Sequence, residues 1–550
     1  MSDREHTTAP AARLRAAPAY ALAALSAALY FLAFPGVGLW PLALVAHVPL
    51  LVAVRDQPVR RAFALGWVSG IVGTLAGFYW LYEMLRTYSG FGWPLCLLFM
   101  FLLACYQGGR MGFATWLYAR GAVRGWPHAP VFAAAFVASE LVYPLLFPWY
   151  FGATLHAVPL LIQLAELGGP IAVSLALVAP NLALAELVVA RRARRRPGRG
   201  VLVAGLAAPV VALGYGALRL AAVERDMEAA DKVRIGIVQP NLPLTRRVPR
   251  VAERHIAHTL ELKAAGAELV LWSEGAVQNH YGEGDYRERV PRELTQGLGV
   301  PTIVGTVVSR PRPDADPEDP RRRLQAFNTA LVTDATGAVE GRYDKQFLLM
   351  FGEYLPLGET FPFLYDISPN SGRFSPGTSL APLPLGAHRL SAMICYEDIL
   401  PSFVNELVRV GDPDLFVNLT NDTWFGDTAE PWVHLALAKF RSVEHRRYLV
   451  RAANSGVSAI VEPTGRLALA SDTYREETLL GTAGYMRATT PFAVLGQAPW
   501  WLVTAASVFC AVWRRPRRGE SWRDVAWPFR RKKPRSAAPA EPPVSPSAPS

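Results

Sequence analysis

The sequence predicts a membrane-embedded helical bundle of about eight spans joined to a soluble α/β layered sandwich. Three observations carry this. Of the 550 residues, 51% are hydrophobic and 18% charged, against about 25% charged in an ordinary soluble chain. The apolar excess lies in long blocks before residue 223 and after residue 490. Between those blocks, strand-like and helix-like patterns alternate, as they do in layered α/β folds.

A spanning helix needs about 20 mainly apolar residues. Segments 18–35, 39–54, 62–84, 92–119, 128–147, 168–190, 200–222 and 493–513 meet or approach that length. The second is short enough to be re-entrant. Segment 148–167 is apolar but broken, which suits the membrane interface. The first span has the length of a signal peptide, but further spans follow directly, so it reads as a retained helix. The chain therefore divides into a tail (1–17), a seven-span bundle (18–222), a soluble domain (223–490), a final span (491–514) and a second tail (515–550). That last tail is basic and then rich in Pro, Ala and Ser, which predicts disorder.

Net charge is +11. The basic residues abut the apolar spans, so they read as topology signals and not as a nucleic-acid surface. Arg55, Arg60 and Arg61 follow the second span, and Arg120 and Arg124 follow the fourth. Arg191, Arg192, Arg194, Arg195, Arg196 and Arg199 follow the sixth. Loops 36–38 and 148–167 carry no Lys or Arg, and 85–91 carries only Arg86. The positive-inside rule then predicts two cytoplasmic termini, with residues 223–490 outside, which in a bacterial-type cell is the periplasmic face of the inner membrane.

Within the soluble segment, KVRIGIVQPN opens as a strand and 250–265 has helical period. Residues 267–275 and 301–310 read as further strands, and the Pro-rich, charged 311–325 as a mobile loop. A hairpin over 326–345 turns at Asp334–Gly337. Strands are expected at 389–398 and 414–422, a helix over 431–454, and a final hairpin over 456–470.

Three of the four cysteines, Cys96, Cys105 and Cys510, lie in apolar spans. Cys395 stands alone in the soluble domain, with no disulfide partner and no metal-type spacing there. Glu274, Lys345 and Cys395 each follow a predicted strand, where α/β folds place reactive groups. Taken singly they are a core thiol and two solvated charges. Taken together they fit one chemistry. A thiol is a weak nucleophile until a base removes its proton. A carboxyl raised toward neutrality by burial can be that base. A tetrahedral intermediate needs positive charge on its oxyanion, and a lysine supplies it.

The motifs LWSEG, GRYDK, FGEYLP, ICYED and NDTWFG, in this order, resemble the nitrilase (carbon–nitrogen hydrolase) superfamily. With several spans before the domain and one after it, the chain resembles more narrowly the apolipoprotein N-acyltransferase family. The resemblance implies an αββα sandwich. It makes Glu274 the general base, Lys345 the oxyanion stabiliser and Cys395 the nucleophile. Glu353 matches an acidic residue that orients the lysine. Tyr396 and Glu397 match the residues after the nucleophile, with the Tyr396 N–H as an oxyanion donor. Trp424, Phe425 and Gly426 match a loop near the cleft. Ser273 stands where the family often has Pro.

The implied reaction moves a fatty acyl chain from a phospholipid, typically phosphatidylethanolamine, through a Cys thioester. The acceptor is the N-terminal amine of the diacylglyceryl-cysteine of an apolipoprotein. No cofactor and no metal are expected, and the partners are the two lipid substrates and the bilayer. Segments 348–357 and 364–374 are candidate lids. His434, Arg441 and Glu444, at helical spacing, read as structural hydrogen-bonding residues. Glu140 and Arg110, inside the spans, read as helix-pairing or groove residues. A membrane-tethered amidase using water as acceptor, and a non-catalytic scaffold or transporter, remain alternatives.

Overall fold

Apolar segments too long for a soluble core become helices, because each helix satisfies its own backbone groups. The computed structural model describes residues 13–89, 91–243, 248–277, 279–312, 324–367, 371–516 and 520. The loop expected at 311–325 and the two predicted tails fall mostly outside these residues. The bundle comprises α1 (Ala16–Leu32), α2 (Val48–Val54), α3 (Val59–Gly77), α4 (Leu81–Ser89), α5 (Trp93–Ala122), α6 (His128–Val142), α7 (Pro159–Ile162), α8 (Ala165–Arg192) and α9 (Arg199–Ala229). After the domain helices α10 (Val251–Ala264), α11 (Tyr286–Val290), α12 (Leu364–Ile367), α13 (Pro401–Gly411) and α14 (Glu430–His445), the chain returns to the bundle through α15 (Pro491–Leu495) and α16 (Ala498–Val512).

All eight predicted spans are largely helical, but fewer have full spanning length. By length and composition α5, α8 and α9 are each able to cross a membrane, and α3 with α4 forms a fourth candidate bent by 60°. The remaining apolar helices are shorter. Prolines account for part of this: α6 stops at Val142, just before Pro144. Helix α8 is kinked at Gly168 and Gly169, ahead of Pro170. Gly169 has φ +67°, and a Cβ there would stand 2.8 Å from the Phe492 ring. The broken segment 148–167 folds as a 3-10 turn (Phe151–Leu155) followed by α7.

Helix α9 continues past the expected boundary to Ala229, and β1 (Asp231–Gln239) starts almost at once. The domain adds β2 (Leu269–Trp272), β3 (His280–Gly282), β4 (Thr302–Pro311), β5 (Leu324–Thr333), β6 (Val339–Asp344), β7 (Leu383–Leu385), β8 (His388–Ile394), β9 (Leu415–Thr420), β10 (Leu449–Ala453), β11 (Ala459–Val461), β12 (Leu467–Ala470) and β13 (Glu477–Tyr485). One sheet has the order β13-β1-β2-β4-β5-β6, with β3 also on β4. The other has the order β12-β11-β10-β9-β8-β7. Each centre is parallel (β1, β2 and β4; β8, β9 and β10) and each flank antiparallel.

Alternation along the strands builds the layers. Ile235, Ile237, Leu269 and Leu271 face the second sheet and share a core with Ala392, Ile394 and Val450. Val270, Trp272 and Val304 face the other way, onto Leu262 of α10 and Val290 of α11. Helices α13 and α14 pack against the second sheet. The arrangement is the expected αββα sandwich.

Two expectations need correction. The helix predicted over 431–454 ends at His445, because Arg446 turns left-handed at φ 52°. Leu449–Ala453 then form β10, a central strand buried throughout. The hairpin over 456–470 is not the last element. Strand β13 follows and pairs antiparallel with β1 along its whole length. Its two glycines and partly exposed face hide the period-two signal.

Bundle and domain share one continuous core. Val433, Leu437, Phe440 and Val443 of α14 pack in the same cluster as Phe136, Phe151 and Ile162 of the bundle.

A candidate active site where bundle and domain meet

Cys395 follows the last residue of β8 and opens a one-turn 3-10 helix (Cys395–Ile399). Its φ is +53°, a conformation that a residue with a Cβ adopts only when its surroundings enforce it. The Glu397 carboxyl is the enforcing group. One oxygen accepts from the N–H groups of Gln346 (2.7 Å) and Phe347 (3.1 Å). The other accepts from the Ile394 N–H (2.7 Å) and the Tyr343 hydroxyl (2.8 Å). Asn418 adds a 3.0 Å bond to the Cys395 carbonyl. Glu397 thus clamps the Cys395 turn to the segment that carries Lys345. Burial pushes its carboxyl up to about 7, against the pull of its backbone donors and Lys345.

Lys345, Glu274 and Glu353 form one buried cluster. The Lys345 ammonium lies 2.8 Å from Glu353 and 3.4 Å from Glu274. Asn328, on β5, donates to Glu274 (2.6 Å) and to Glu353 (2.8 Å) from the same amide nitrogen. Glu353 also accepts from the Leu349 N–H at 2.8 Å. The second oxygen of Glu274 is buried with no hydrogen-bond partner among the described residues. It is the carboxylate atom left free to take a proton.

The charges explain the resting state. Burial raises the Cys395 thiol well above its ordinary range, Glu274 raises it further, and Lys345 pulls it down. Burial raises Glu274, Lys345 lowers it and Glu353 raises it. For Lys345 burial works against the charge, but Glu274 and Glu353 outweigh it and hold the ammonium ionised. Cys395 is thus held toward its neutral thiol, and the Lys345 ammonium is fixed between Glu274 and Glu353.

The cavity in front of Cys395 is built by both parts of the chain. Tyr396, Phe425, Val433 and Leu349 come from the domain, and Phe78, Trp80, Phe147 and Trp149 from the bundle. A second cleft inside the bundle, lined by Tyr30, Gly73, Gln107 and Arg110, shares Phe78, Phe147 and Trp149 with it. An apolar wall therefore runs from the helices to the sulfur. The Arg110 guanidinium donates to the Trp149 carbonyl, and Glu140 accepts from the Phe151 N–H at 2.7 Å, so both hold the 148–155 segment in place.

The other predicted residues fall around this cavity. The Tyr396 hydroxyl donates to the Leu146 carbonyl of the bundle at 3.3 Å. Phe425 is buried edge-on against Trp80, with ring centres 5.0 Å apart. Gly426 turns the chain at φ +69°, and Trp424 beside it is partly buried. His434 bridges Asp398 (2.8 Å) and Asp422 (3.1 Å), consistent with its structural reading. Arg441 and Glu444 pair with each other at 2.5 Å, buried under α14.

Asp422, Glu430 and His434 are close enough together to hold a cation. Arg451 already supplies positive charge there, 2.6 Å from Asp398 and 3.0 Å from Asp422. Burial and Arg451 push His434 down, yet the two aspartates outweigh them and raise it to about 10.

Sequence reasoning missed Asn328, Asp398, Asp422 and Arg451. The available signal was a polar side chain inside an apolar strand, as in AFNTALV and LVRAA.

Comparison with known proteins places these features. Residues 234–485 match the carbon-nitrogen hydrolase family model. Residues 26–183 match that of the apolipoprotein N-acyltransferase N-terminal domain. The apolipoprotein N-acyltransferase of Geobacter metallireducens is 31% identical over 476 residues, spanning 84% of this chain and 88% of that protein. The chain belongs to the apolipoprotein N-acyltransferase family. It is therefore an acyltransferase of the carbon–nitrogen hydrolase superfamily. The family member from Pseudomonas putida is 29% identical, spanning 86% of this chain and 92% of its own length. Among solved structures, an amidase from Nesterenkonia sp. is 21% identical and covers 49% of this chain and 95% of its own, with a TM-score of 0.33.

Proposed function

We propose that this chain transfers a fatty acyl group from a phospholipid to the N-terminal amine of diacylglyceryl-cysteine on apolipoproteins, through a thioester on Cys395. The observation that carries this is the apolar cavity in front of the sulfur, to whose wall the bundle contributes Phe78, Trp80, Phe147, Pro148 and Trp149. A hydrolase of soluble amides has no use for a lipid-facing wall, whereas an acyl chain does.

In the first half-reaction Glu274 takes the thiol proton and the sulfur attacks the ester carbonyl. Lys345 and the Tyr396 N–H hold the oxyanion. On collapse the C–O bond breaks, and the proton from Glu274 passes to the departing lysophospholipid alkoxide. In the second, the acceptor amine attacks the thioester carbonyl and the C–S bond breaks. The amine loses a proton to Glu274, which returns it to the thiolate. Glu353 keeps the lysine in place. Losing one oxyanion donor costs such a step about 3–4 kcal/mol. The apolar walls keep out the water that would hydrolyse the thioester.

In this reading the donor is phosphatidylethanolamine, and the eight apolar segments act as spans even where the helices are short. Both termini are cytoplasmic and the domain is periplasmic. The alternating basic loops support that orientation.

Purified protein mixed with phospholipid alone should gain a fatty-acyl mass on Cys395. Adding a diacylated lipopeptide should discharge it into N-acyl product. Free fatty acid without N-acylation would instead support the hydrolase reading, with water as acceptor.

A further inference from the structure

A second cavity lies at the other end of the bundle. It is lined by Arg55 at the end of α2, Tyr118 of α5, Pro127 and His128 at the start of α6, Glu186 of α8 and Arg195 beyond it. Its volume is about 280 Å³, near the lower end of the range of about 300–1,000 Å³ usual for small-molecule sites. Helix α8 measures its distance from the catalytic domain. Glu166, at one end, is bound to Arg446 of the domain. Beyond the kink at Gly168 and Gly169, unbroken helix runs from Pro170 to Glu186, about 25 Å of rise. That is most of the thickness of the hydrocarbon layer, about 30 Å. This cavity cannot serve Cys395.

Its polar groups are unevenly satisfied. Arg195 makes two bonds to Glu186, at 2.6 and 3.0 Å, and the Gly198 N–H makes a third at 3.0 Å. Glu186 is thereby filled. Arg55 is not. Its nearest carboxylates are 3.7 Å away (Glu186) and 3.9 Å away (Asp56), beyond hydrogen-bond length. Its buried Nε has no acceptor among the described residues. His128 has its Nδ1 2.8 Å from the Tyr118 hydroxyl. Its Nε2 stands 3.6 Å from Asp56, too far for a hydrogen bond. The N-terminus of the 15-residue helix α6 opens at the same wall and adds its positive dipole end.

A guanidinium ion-paired only at 3.7 and 3.9 Å, with its Nε unbonded among the described residues, stands beside a helix N-terminus and can take the oxygens of a phosphate group. Exposed Arg191, Arg192, Arg194, Arg196 and Arg199 surround the loop that supplies Arg195, so a net negative headgroup is favoured over a zwitterionic one. Leu51, Leu182 and Val201 line the remaining wall and suit the start of an acyl chain.

We propose that this cavity binds the phosphodiester headgroup of an anionic phospholipid in the leaflet opposite the catalytic domain.

The test uses the full-length protein in detergent and native mass spectrometry. The probes are phosphatidylglycerol, phosphatidylcholine and inorganic phosphate. Phosphatidylglycerol adducts should be retained about fivefold better than phosphatidylcholine adducts, and Arg55→Gln should remove that advantage. Val201→Trp, which fills the cavity from its apolar side, should do the same with Arg55 intact. Acyl transfer should persist in both variants. Equal retention of the two lipids by the native protein would overturn the proposal, as would an undiminished preference in both variants. Displacement of phosphatidylglycerol by inorganic phosphate at equal concentration would assign the site to free phosphate and overturn its lipid source.

Discussion

Glu166 of the bundle accepts a 2.6 Å charge-assisted bond from Arg446, the residue that ends α14 in the catalytic domain. The same carboxylate takes Arg219 of α9 at 2.5 Å. Arg446 also reaches the Gln163 side chain and the Pro463 carbonyl. One acid thus ties two bundle helices to the domain and fixes where the cavity walls meet. Glu166→Gln should leave Arg446 buried without its counter-charge. Breaking a buried pair on one side costs about 3–5 kcal/mol. Thermal unfolding in detergent should show a clear loss, and acyl transfer should fall with it. An unchanged melting temperature would show that the junction is held elsewhere.

Glu397 supplies a sharper test, because both its oxygens accept from backbone N–H groups. A glutamine has one acceptor oxygen. Whichever way its amide is turned, an NH₂ faces a backbone N–H. Glu397→Gln should therefore cost about 1–3 kcal/mol for the unsatisfied donors and loosen the turn at Cys395. The expected readout is a lower melting temperature together with a lower kcat, with KM little changed. The acid's own titration runs the other way. Its folded value of about 7 lies above the ordinary carboxyl range. Its contribution to stability is thus complete in acid and lost as pH rises toward and through 7.

Asn328 is placed to tune the protonation of Glu274, the proposed base. Its amide N–H donates to Glu274 and Glu353, and at Glu274 the bond favours the ionised form. Asn328→Leu removes both bonds with little change in volume. Glu274, already raised by burial, should rise further and stay protonated to higher pH. The acid limb of the kcat/KM profile should move to higher pH, and the rate at neutral pH should drop. An acid limb left in place would exclude Asn328 from tuning the base.

How much of this was legible in the sequence depends on where each partner lies. Glu274, Lys345 and Cys395 could be found because each closes an apolar run and stands inside a short motif. The clamp could not. Tyr343, Gln346 and Ile394 meet Glu397 through a turn whose geometry no spacing reveals. Arg446 and Glu166 are 280 positions apart, and each alone looks like a solvated charge. The apolar blocks located the helices, but hydropathy does not register where a proline or a Gly-Gly pair breaks them. The kink in α8 was invisible for that reason, and the bend between α3 and α4 falls at 78–80, where neither a proline nor a Gly-Gly pair marks it. Strand β10 was lost because LVRAA continues the apolar period of α14, and only the left-handed Arg446 separates them.

The cleft within the bundle offers a test of how the acyl chain lies. Gly73 lines it, and a Cβ there would meet only the Ala27 methyl at 3.9 Å. A larger side chain is therefore tolerated by the helices, and leucine also favours the helix by about 0.8 kcal/mol over glycine. Gly73→Leu should fold normally and fill the cleft beside Tyr30 and Arg110. If the chain of the donor threads from the cavity into this cleft, long-chain phospholipids should lose rate while short-chain donors keep theirs. Thioester formation on Cys395, followed by intact mass across donors of increasing chain length, measures this directly. An unchanged rate at every length would mean that the chain leaves the cavity by another route, past Phe425 and Trp80 toward the loop at Gly426.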